Sequence, residues 1–372
     1  MSGTTIRSIE PALFKVPLAE VLSDAMHGDH THFDLITVRI ALDNGAEGVG
    51  YSYTGGRGGH GVHAVVEHDL RPVLIGRDAA DVDGLFGFMH DYLHYVGRGG
   101  IATMAISAVD IALWDLRGRQ RGEALWQMAG GAGRAAKAYR GGIDLGYSLE
   151  KLLASVQGYL DEGFNGVKIK VGRPDLGEDI ARAEAVRALI GPDRAFMVDA
   201  NYALSVDQAI AAAEAFKAFD PLWFEEPTDP EDYAGYARIA EATGMPLAMG
   251  ENQRSLHEFA CAVSMAKLSF LQPDAGNCGG ITAFLKAAAM ARKRGIPVCS
   301  HGMQELHVSL LAGLTTAEDP QAGWLEVHSF PIDAYTTRPL VVENHLAVAP
   351  ETPGTGVVFD WETLKPHRVT PG

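Results

Sequence analysis

The chain has 372 residues, of which 47% are hydrophobic and 21% are charged, and its formal net charge at pH 7 is −16. A chain of this length can bury a large core and divide into two domains. The acidic balance argues against nonspecific nucleic-acid binding, which depends on Lys and Arg. The N-terminus has no apolar leader, and no apolar run reaches the ~18 residues that a membrane span needs. We therefore expect a cytoplasmic protein with no nucleic-acid or membrane partner.

The N-terminal third begins with strands and continues with helices. Two β-type runs, 34–40 and 47–53, flank the dipeptide Asn44-Gly45, which is typical of a β-hairpin turn. Helical spacing then appears in three stretches, 62–74, 82–95 and 101–116. Strands followed by separate helices predict an α+β capping domain over residues 1–130. We expect lid loops near residues 18–32 and 54–61, because such loops commonly close over active sites.

From about Lys137 the sequence pattern changes, and short apolar strands alternate with alanine-rich helical stretches. Eight strand candidates follow one another: AYRGGI, GVKIKV, AFMVDA, LWFEEP, PLAMGE, SFLQPD, IPVCSH and GWLEVH. This rhythm predicts an α/β fold, a (β/α)8-type barrel over residues 131–330. An open, doubly wound sheet is the alternative. Residues 331–372 lack the rhythm, and we expect them to pack back on the capping domain.

Acidic residues and one histidine end the later strand candidates. They lie 23 to 27 residues apart along the chain: Asp199, Glu225, Glu251, Asp274, His301 and Glu326. Barrel enzymes carry their chemistry at the carboxyl ends of the strands, so these side chains should meet there. The oxygen ligands of Asp199, Glu225 and Glu251 suit Mg²⁺, whereas zinc would favour Cys or His. Any one of these carboxylates alone would read as a solvated loop residue or a helix cap.

The second strand candidate, GVKIKVG, places Lys168 and Lys170 on the same face. Two close ammonium groups repel each other and burial disfavours charge, so we expect a lowered pKa and a neutral base at Lys170. Asp274 and His301 end neighbouring strands, where the carboxylate can orient the imidazole as a second acid or base. A purely structural hydrogen bond between Asp274 and His301 is the alternative.

Taken together, the motifs KIK, VDAN, FEEP, GEN, PDA, SHG and WLE on successive strands resemble the mandelate racemase subgroup of the enolase superfamily. The resemblance covers nearly the whole chain, and it implies the modified (β/α)7β form of the barrel with Mg²⁺ bound by Asp199, Glu225 and Glu251. The segments HGDHTHFD, YVGRGG, NCGGIT and HGMQELHVSL look most like acid-sugar dehydratases of the L-talarate/galactarate type. We also expect a homo-oligomer.

The resemblance implies a role for each matching residue on the barrel rim. Lys170 would act as a base on one face of the substrate. His301, paired with Asp274, would be the acid or base on the other face. Lys168 would help to hold the substrate carboxylate and would lower the proton affinity of Lys170.

Four further residues are expected to contact substrate. The resemblance implies that Glu326 donates a hydrogen bond to a carboxylate oxygen and that Asn201 touches the substrate. His30, in the first lid segment, is a candidate for substrate contact. Arg57, in the second, is a candidate partner for a distal substrate carboxylate.

These roles predict removal of the proton α to a carboxylate, with the ene-diolate stabilised by Mg²⁺. With a hydroxyl group on the β-carbon, loss of water gives a 2-keto-3-deoxy acid, so we expect a hydro-lyase acting on a galactarate-like or L-talarate-like diacid. Reprotonation from the opposite face would instead make the enzyme a racemase or epimerase. A Schiff-base aldolase using Lys168 or Lys170 and a non-catalytic sugar-acid binding protein are further alternatives.

Overall fold

The computed structural model describes residues 3–319 and 323–370. Its N-terminal part starts with three antiparallel strands, β1 (Ile6–Asp24), β2 (Gly28–Leu42) and β3 (Glu47–Thr54). Strands β2 and β3 are joined through Asn44-Gly45, and their pairing runs from Asp34 opposite Thr54 to Ala41 opposite Glu47. The predicted β-hairpin is therefore present.

Helices follow the three strands. They are α1 (Gly59–Ala64), a π-helical turn (Val65–Leu70), α2 (Arg71–Leu74), α3 (Val82–Tyr92), α4 (Gly100–Arg121) and α5 (Leu125–Met128). Helix α4 packs directly on β3 because glycines leave room for its backbone. A Cβ atom on Gly50 would lie 2.1 Å from the carbonyl oxygen of Ala108, and one on Gly48 would lie 2.6 Å from that of Ala112.

The segment 18–32, predicted as a loop, is largely the far end of a β-hairpin. Strands β1 and β2 pair as far as Asp24 opposite Gly28, with a register shift between Pro17 and Leu22. The tip is closed by Asp24, whose carboxylate accepts the backbone N–H groups of Met26 at 3.0 Å and His27 at 2.7 Å. In the second predicted lid segment, a bend at residues 55–58 connects β3 to α1. Closure of either segment remains a prediction.

Strands and helices then alternate. The elements are β4 (Ala135–Gly141), α6 (Leu149–Asp161), β5 (Gly166–Lys170), α7 (Leu176–Ile190), β6 (Ala195–Asp199), α8 (Val206–Phe216), β7 (Trp223–Glu225), α9 (Tyr233–Thr243), β8 (Leu247–Met249), α10 (Leu256–Met265), β9 (Phe270–Leu271), α11 (Gly280–Arg292), α12 (Gln304–Gly313) and β10 (Trp324–Val327). Helices α6 to α10 each start after a Ser or Asp whose side chain accepts a backbone N–H of the first turn. Such N-caps satisfy donors that the helix itself leaves free.

The sheet closes into a barrel. Strands β4 to β9 pair in parallel, and β10 returns to pair in parallel with β4. The seventh predicted strand, IPVCSH, is reduced to a single bridge between Val298 and Leu271. Its backbone still joins both neighbours, since Cys299 N donates to Leu271 O at 2.8 Å and Ser300 N donates to Trp324 O at 3.1 Å. The modified (β/α)7β barrel is confirmed, and the doubly wound sheet is excluded.

The C-terminal segment contacts both parts of the chain. It contains β11 (Val341–Glu343), β12 (Leu346–Val348), α13 (Trp361–Leu364) and β13 (Arg368–Val369), with short 3-10 turns at Ile332–Tyr335 and Lys365–His367. Strand β12 pairs with β4 of the barrel, whereas β13 pairs with β1 of the N-terminal sheet. The segment therefore packs against the barrel as well as the capping sheet, whereas the sequence predicts contact with the capping domain alone. The domain boundaries at 130 and 330 remain predictions.

Within residues 3–319 and 323–370, no helix is both long enough and apolar enough to cross a membrane. The cytoplasmic location and the homo-oligomer remain predictions.

Candidate active site

Three carboxylates meet at the carboxyl ends of neighbouring strands. One ligand oxygen from each of Asp199, Glu225 and Glu251 lies within 4.8 Å of the other two. Asp199 and Glu225 are opposite each other in the parallel register of β6 and β7, and Glu251 follows β8. All three side chains are buried, with Glu251 the most accessible at 9% exposure. The structure thus brings together the three residues that the sequence predicts as metal ligands.

This carboxylate cluster suits a divalent cation. Burial, reinforced by the charges of Glu251 and Asp199, holds the pKa of Glu226 well above its usual value. Burial also raises the pKa of Glu225, although Lys168 opposes the shift. A dication relieves such crowding of negative charge, and an all-oxygen ligand set is the one that Mg²⁺ prefers. Glu226 is held apart from the ligand set by Asn252 Nδ2, which lies 3.0 and 2.8 Å from its two oxygens.

Both lysines of β5 reach this cluster. Lys170 Nζ lies 2.5 Å from Asp199 Oδ2. Lys168 Nζ lies 3.3 Å from the same Asp199 oxygen, and it also forms a salt bridge with Glu225. Lys168 is fully buried, whereas Lys170 is 5% exposed and borders a cavity. Lys168 therefore ties carboxylates together, and Lys170 is the lysine that faces the open space.

The pKa of Lys170 is raised, which differs from the expectation drawn from its lysine neighbour. Burial favours the neutral amine, but the nearby carboxylates, above all Asp199, outweigh both burial and the ammonium group of Lys168. The repulsion between the two lysines is present but subordinate. The charge of Lys170 is governed by the carboxylate cluster rather than by Lys168.

His301 and Asp274 form a hydrogen-bonded pair at the other end of the cluster. His301 Nδ1 lies 2.9 Å from Asp274 Oδ2, while His301 Nε2 lies 3.3 Å from Glu251 Oε2. Burial alone would lower the pKa of His301, but the charge of Glu251 and the hydrogen bond to Asp274 outweigh burial and raise the pKa to about 10. His301 therefore favours the imidazolium form and lies at the Glu251 end, while Lys170 lies at the Asp199 end.

A tyrosine from the N-terminal sheet completes this pair, and the sequence analysis missed it. Tyr53 of β3 donates its hydroxyl hydrogen to Asp274 Oδ2 at 2.7 Å, and its oxygen lies 3.3 Å from His301 Nδ1. Burial, followed by the charge of Asp274, raises the pKa of Tyr53 well above its usual value. Tyr53 is thus a neutral donor that links the capping sheet to the His301–Asp274 pair.

Glu326 of β10 accepts hydrogen bonds through both of its oxygens. Its Oε1 lies 2.9 Å from Lys168 Nζ, and its Oε2 accepts the backbone N–H of Gly302 at 3.2 Å. Burial would raise the pKa of Glu326, but Lys168 and His301 outweigh burial and lower it. Glu326 thus accepts from Lys168 and Gly302 in the structure, and the donor role that the family resemblance implies remains a prediction.

A cavity of about 260 Å³ opens between the capping sheet and the barrel rim. The barrel contributes Lys170, His301 and Asn201 to its wall. The N-terminal part contributes His30 and Arg57. The predicted substrate residues Asn201, His30 and Arg57 thus surround one space, whereas Lys168 and Glu326 lie behind its wall.

The N-terminal hairpin adds a second cluster to the cavity. Asp24 Oδ2 lies 2.9 Å from His30 Nε2 and 3.0 Å from His27 Nδ1. His27 Nε2 in turn lies 2.8 Å from the hydroxyl oxygen of Tyr202, just after β6. The sequence analysis singled out His30 but missed Asp24, which lies six residues before His30 and meets it only across the hairpin.

His328 is another cavity residue that the sequence analysis missed. It lies just beyond β10, and its ring centroid is 5.1 Å from that of His301. A signal was available, because His328 follows Glu326 by two residues and so shares its face of the strand.

Comparison with known proteins places these features in a family. Residues 13–130 match the "mandelate racemase / muconate lactonizing enzyme, N-terminal domain", and residues 151–363 match the "enolase C-terminal domain-like" family. The chain is 43% identical over 359 residues to the 3,6-anhydro-alpha-L-galactonate cycloisomerase of Streptomyces coelicolor, covering 96% of this chain and 98% of that protein.

Two solved structures are similar over nearly the whole chain. A racemase from Streptomyces coelicolor A3(2) with bound magnesium has a TM-score of 0.94 and 42% identity, covering 98% of this chain and 100% of that one. The L-talarate/galactarate dehydratase of Salmonella typhimurium LT2, with Mg and L-lyxarohydroxamate, has a TM-score of 0.93 and 31% identity, covering 99% and 94%. The chain therefore belongs to the mandelate racemase subgroup of the enolase superfamily, whose members use Mg²⁺.

Proposed function

We propose that this protein removes the proton α to the carboxylate of a sugar acid and then expels the oxygen substituent on the β-carbon. One observation carries the proposal: two acid–base groups, Lys170 and His301, border the same cavity at opposite ends of a three-carboxylate cluster. This placement allows one group to remove a proton from a bound acid while the other donates one. When bound at the three carboxylates, Mg²⁺ supplies the positive charge that stabilises the ene-diolate.

Neighbouring residues hold these two groups in place. His301 Nδ1 donates to Asp274 Oδ2 at 2.9 Å, which leaves Nε2 as the nitrogen that exchanges a proton with substrate. Tyr53 fixes the same Asp274 oxygen from the capping side at 2.7 Å. Lys168 is buried among Glu225, Asp199 and Glu326, and its ion pairs with them hold the three carboxylates in place.

The identity of the leaving oxygen decides the outcome of the same elimination. When a ring ether at C3 leaves, as in a 3,6-anhydro sugar acid, the ring opens and the product is an isomer of the substrate. When a free hydroxyl leaves, water is lost and a 2-keto-3-deoxy acid forms. We infer a 3,6-anhydro-hexonate as the first candidate substrate, since the cycloisomerase relative shares 43% identity over 96% of this chain.

Dehydration of a galactarate-like or L-talarate-like diacid is the second candidate. The observation that favours it is Arg57, together with Arg254, on the cavity wall. A guanidinium group binds a carboxylate through paired hydrogen bonds, and a diacid carries a second carboxylate that an anhydro-hexonate lacks.

The test is incubation of the protein and Mg²⁺ in D₂O with 3,6-anhydro-L-galactonate, galactarate and L-talarate, followed by NMR and mass spectrometry. A keto acid isomeric with its substrate supports the cycloisomerase, and a keto acid lighter by one water supports the dehydratase. Deuterium at C2 of recovered substrate and its epimer, without a keto acid, would instead indicate the racemase or epimerase alternative. If no acid reacts and none exchanges its α-proton, the proposal fails.

A further inference from the structure

The tip of the N-terminal hairpin holds a second group of side chains with the chemistry of metal ligands. Among the residues that the structure describes, such side chains converge within 4.8 Å at two places, the carboxylate cluster and the group of Asp24, His27 and His30. We call the second group the hairpin trio. Its members lie three residues apart along the chain, and the pairing of β1 with β2 sets His30 opposite Leu22 and so near Asp24.

The donor atoms of the hairpin trio point at one place. His30 Nε2 lies 2.9 Å and His27 Nδ1 lies 3.0 Å from the same oxygen, Asp24 Oδ2. The other oxygen, Oδ1, accepts the backbone N–H groups of Met26 and His27, which fixes the carboxylate and leaves Oδ2 to the two rings. In a tetrahedral zinc site with bonds of about 2.0–2.2 Å, neighbouring ligand atoms lie roughly 3.3 Å apart, so small rotations of the side chains would admit the ion.

A barrel residue supports one of the two rings from behind. The hydroxyl oxygen of Tyr202 lies 2.8 Å from His27 Nε2. A histidine that binds a metal through one nitrogen usually donates the N–H of the other nitrogen to an oxygen, which fixes the tautomer and the orientation of the ring. Tyr202 therefore suits a positioning role that directs the Nδ1 lone pair of His27 towards Asp24.

The two clusters differ in the ion that suits them. The carboxylate cluster offers oxygen atoms only, which Mg²⁺ prefers. The hairpin trio offers two imidazole nitrogens and one carboxylate, which Zn²⁺ and other late first-row transition metals accept. The side chain of His27 is 43% exposed, whereas those of Asp24 and His30 are 5% and 8% exposed, so an ion can enter from solvent beside His27.

We propose that Asp24, His27 and His30 form a binding site for a transition-metal ion such as Zn²⁺, separate from the Mg²⁺ site. Three protein ligands leave a fourth coordination position for water or another small ligand. All three residues border the cavity, so the ion lies at its edge. It also ties the end of β1 to the start of β2, and so it braces the hairpin tip. The inference goes beyond the proposed function, because binding of the ion needs no turnover.

The first test is isothermal titration calorimetry of the full chain, saturated with Mg²⁺, with ZnCl₂. We expect one zinc ion to bind per chain. His27→Ala and Asp24→Asn each remove a ligand and should weaken zinc binding by more than about 10²-fold, whereas Tyr202→Phe removes only the supporting oxygen and should weaken it about 10- to 100-fold. His257→Ala, at an exposed histidine of α10, is the matched control and should bind zinc like the wild type.

A second test locates the ion directly. In crystals grown with both metals, anomalous scattering at the zinc absorption edge should show a peak bonded to the hairpin trio. A peak at the carboxylate cluster alone would overturn the inference. So would wild-type zinc affinity in His27→Ala, or no zinc uptake by the Mg²⁺-saturated wild type. Neither readout uses a sugar acid, so failure of the zinc site and failure of the proposed function can be told apart.

Discussion

The interior of the barrel has two layers that are built by the same strands. The base layer is a buried cluster of Tyr139, Met197, Trp223, Ala248 and Cys299. Three of these residues are followed, two positions later, by a residue of the charged rim. Asp199 follows Met197, Glu225 follows Trp223, and His301 follows Cys299. Side chains two residues apart on a strand share a face, so both layers point into the barrel.

The comparison shows how one face of a strand can serve both packing and chemistry. In the base layer the rings of Tyr139 and Trp223 meet edge-on, with centroids 5.5 Å apart. The layers are joined by a hydrogen bond, since Trp223 Nε1–H donates to Glu225 Oε2 at 2.8 Å. The base layer therefore fills the barrel and also orients a carboxylate of the rim.

The largest expected effect comes from breaking the rim at Lys170. In Lys170→Ala, product formation and α-proton exchange should fall about 10²- to 10⁴-fold, because the acid–base group is gone. Steady-state kinetics and exchange in D₂O measure this. Lys217→Ala, at a half-exposed lysine that pairs with Glu214 on the outer surface, is the matched control and should keep full activity. Retained turnover in Lys170→Ala would remove this lysine from the mechanism.

Breaking the base layer should lower stability rather than remove a reacting group. Trp223→Ala is expected to cost about 3–5 kcal/mol in the free energy of unfolding, because it leaves a cavity among fully buried side chains. Urea denaturation measures this cost. Trp223→Phe keeps a ring at this position and should cost less than Trp223→Ala; its lost hydrogen bond to Glu225 accounts for about 0.5–1.5 kcal/mol, and the smaller ring adds a packing loss. Equal stability of Trp223→Ala and wild type would contradict the packing role.

Binding of Mg²⁺ at the carboxylates of the rim should stabilise the folded protein. Mg²⁺ at about 100 times its Kd should add about 2.7 kcal/mol to the free energy of unfolding, since it binds the folded cluster only. EDTA should reverse this gain and abolish turnover. Glu251→Gln should respond weakly, whereas Glu241→Gln, on the outer surface, should respond like wild type. If Mg²⁺ left the free energy of unfolding of the wild-type protein unchanged, that result would count against a metal site at the three carboxylates.

The smallest effect is expected outside the barrel. Arg238 Nη2 lies 2.7 Å from Asp207 Oδ1, but the two side chains are 63% and 80% exposed. Arg238→Ala should change the free energy of unfolding by less than about 1 kcal/mol and leave kcat unchanged, because water screens the pair. A larger loss in thermal or chemical unfolding would show that exposed ion pairs matter here as much as the buried rim.

The rim could be predicted from sequence because its spacing follows the barrel itself. Asp199, Glu225 and Glu251 are each 26 residues apart in the numbering, one strand–helix unit per step. The charge states could not be predicted the same way. The lowered pKa of Glu326 and the raised pKa of Lys170 depend on which carboxylates and lysines touch, and that is a matter of three-dimensional packing.

Contacts between the two parts of the chain were also beyond sequence reasoning. Tyr53 and Asp274 are 221 residues apart, and no local pattern joins them. The segment 18–32 is predicted as a lid loop, whereas the structure pairs β1 with β2 there as far as Asp24 opposite Gly28, through backbone contacts that the side chains do not signal.

The hydroxyl of Tyr53 has a consequence for protein engineering. Exchanging the N-terminal sheet for that of a relative, in order to change which acid is accepted, would also exchange a supporting group of the His301–Asp274 pair. Strand β3 thus carries both a part of the cavity wall and the hydroxyl group that supports the His301–Asp274 pair. A transplanted capping sheet that lacks a tyrosine at this position would remove the hydrogen bond that Asp274 receives from the capping side.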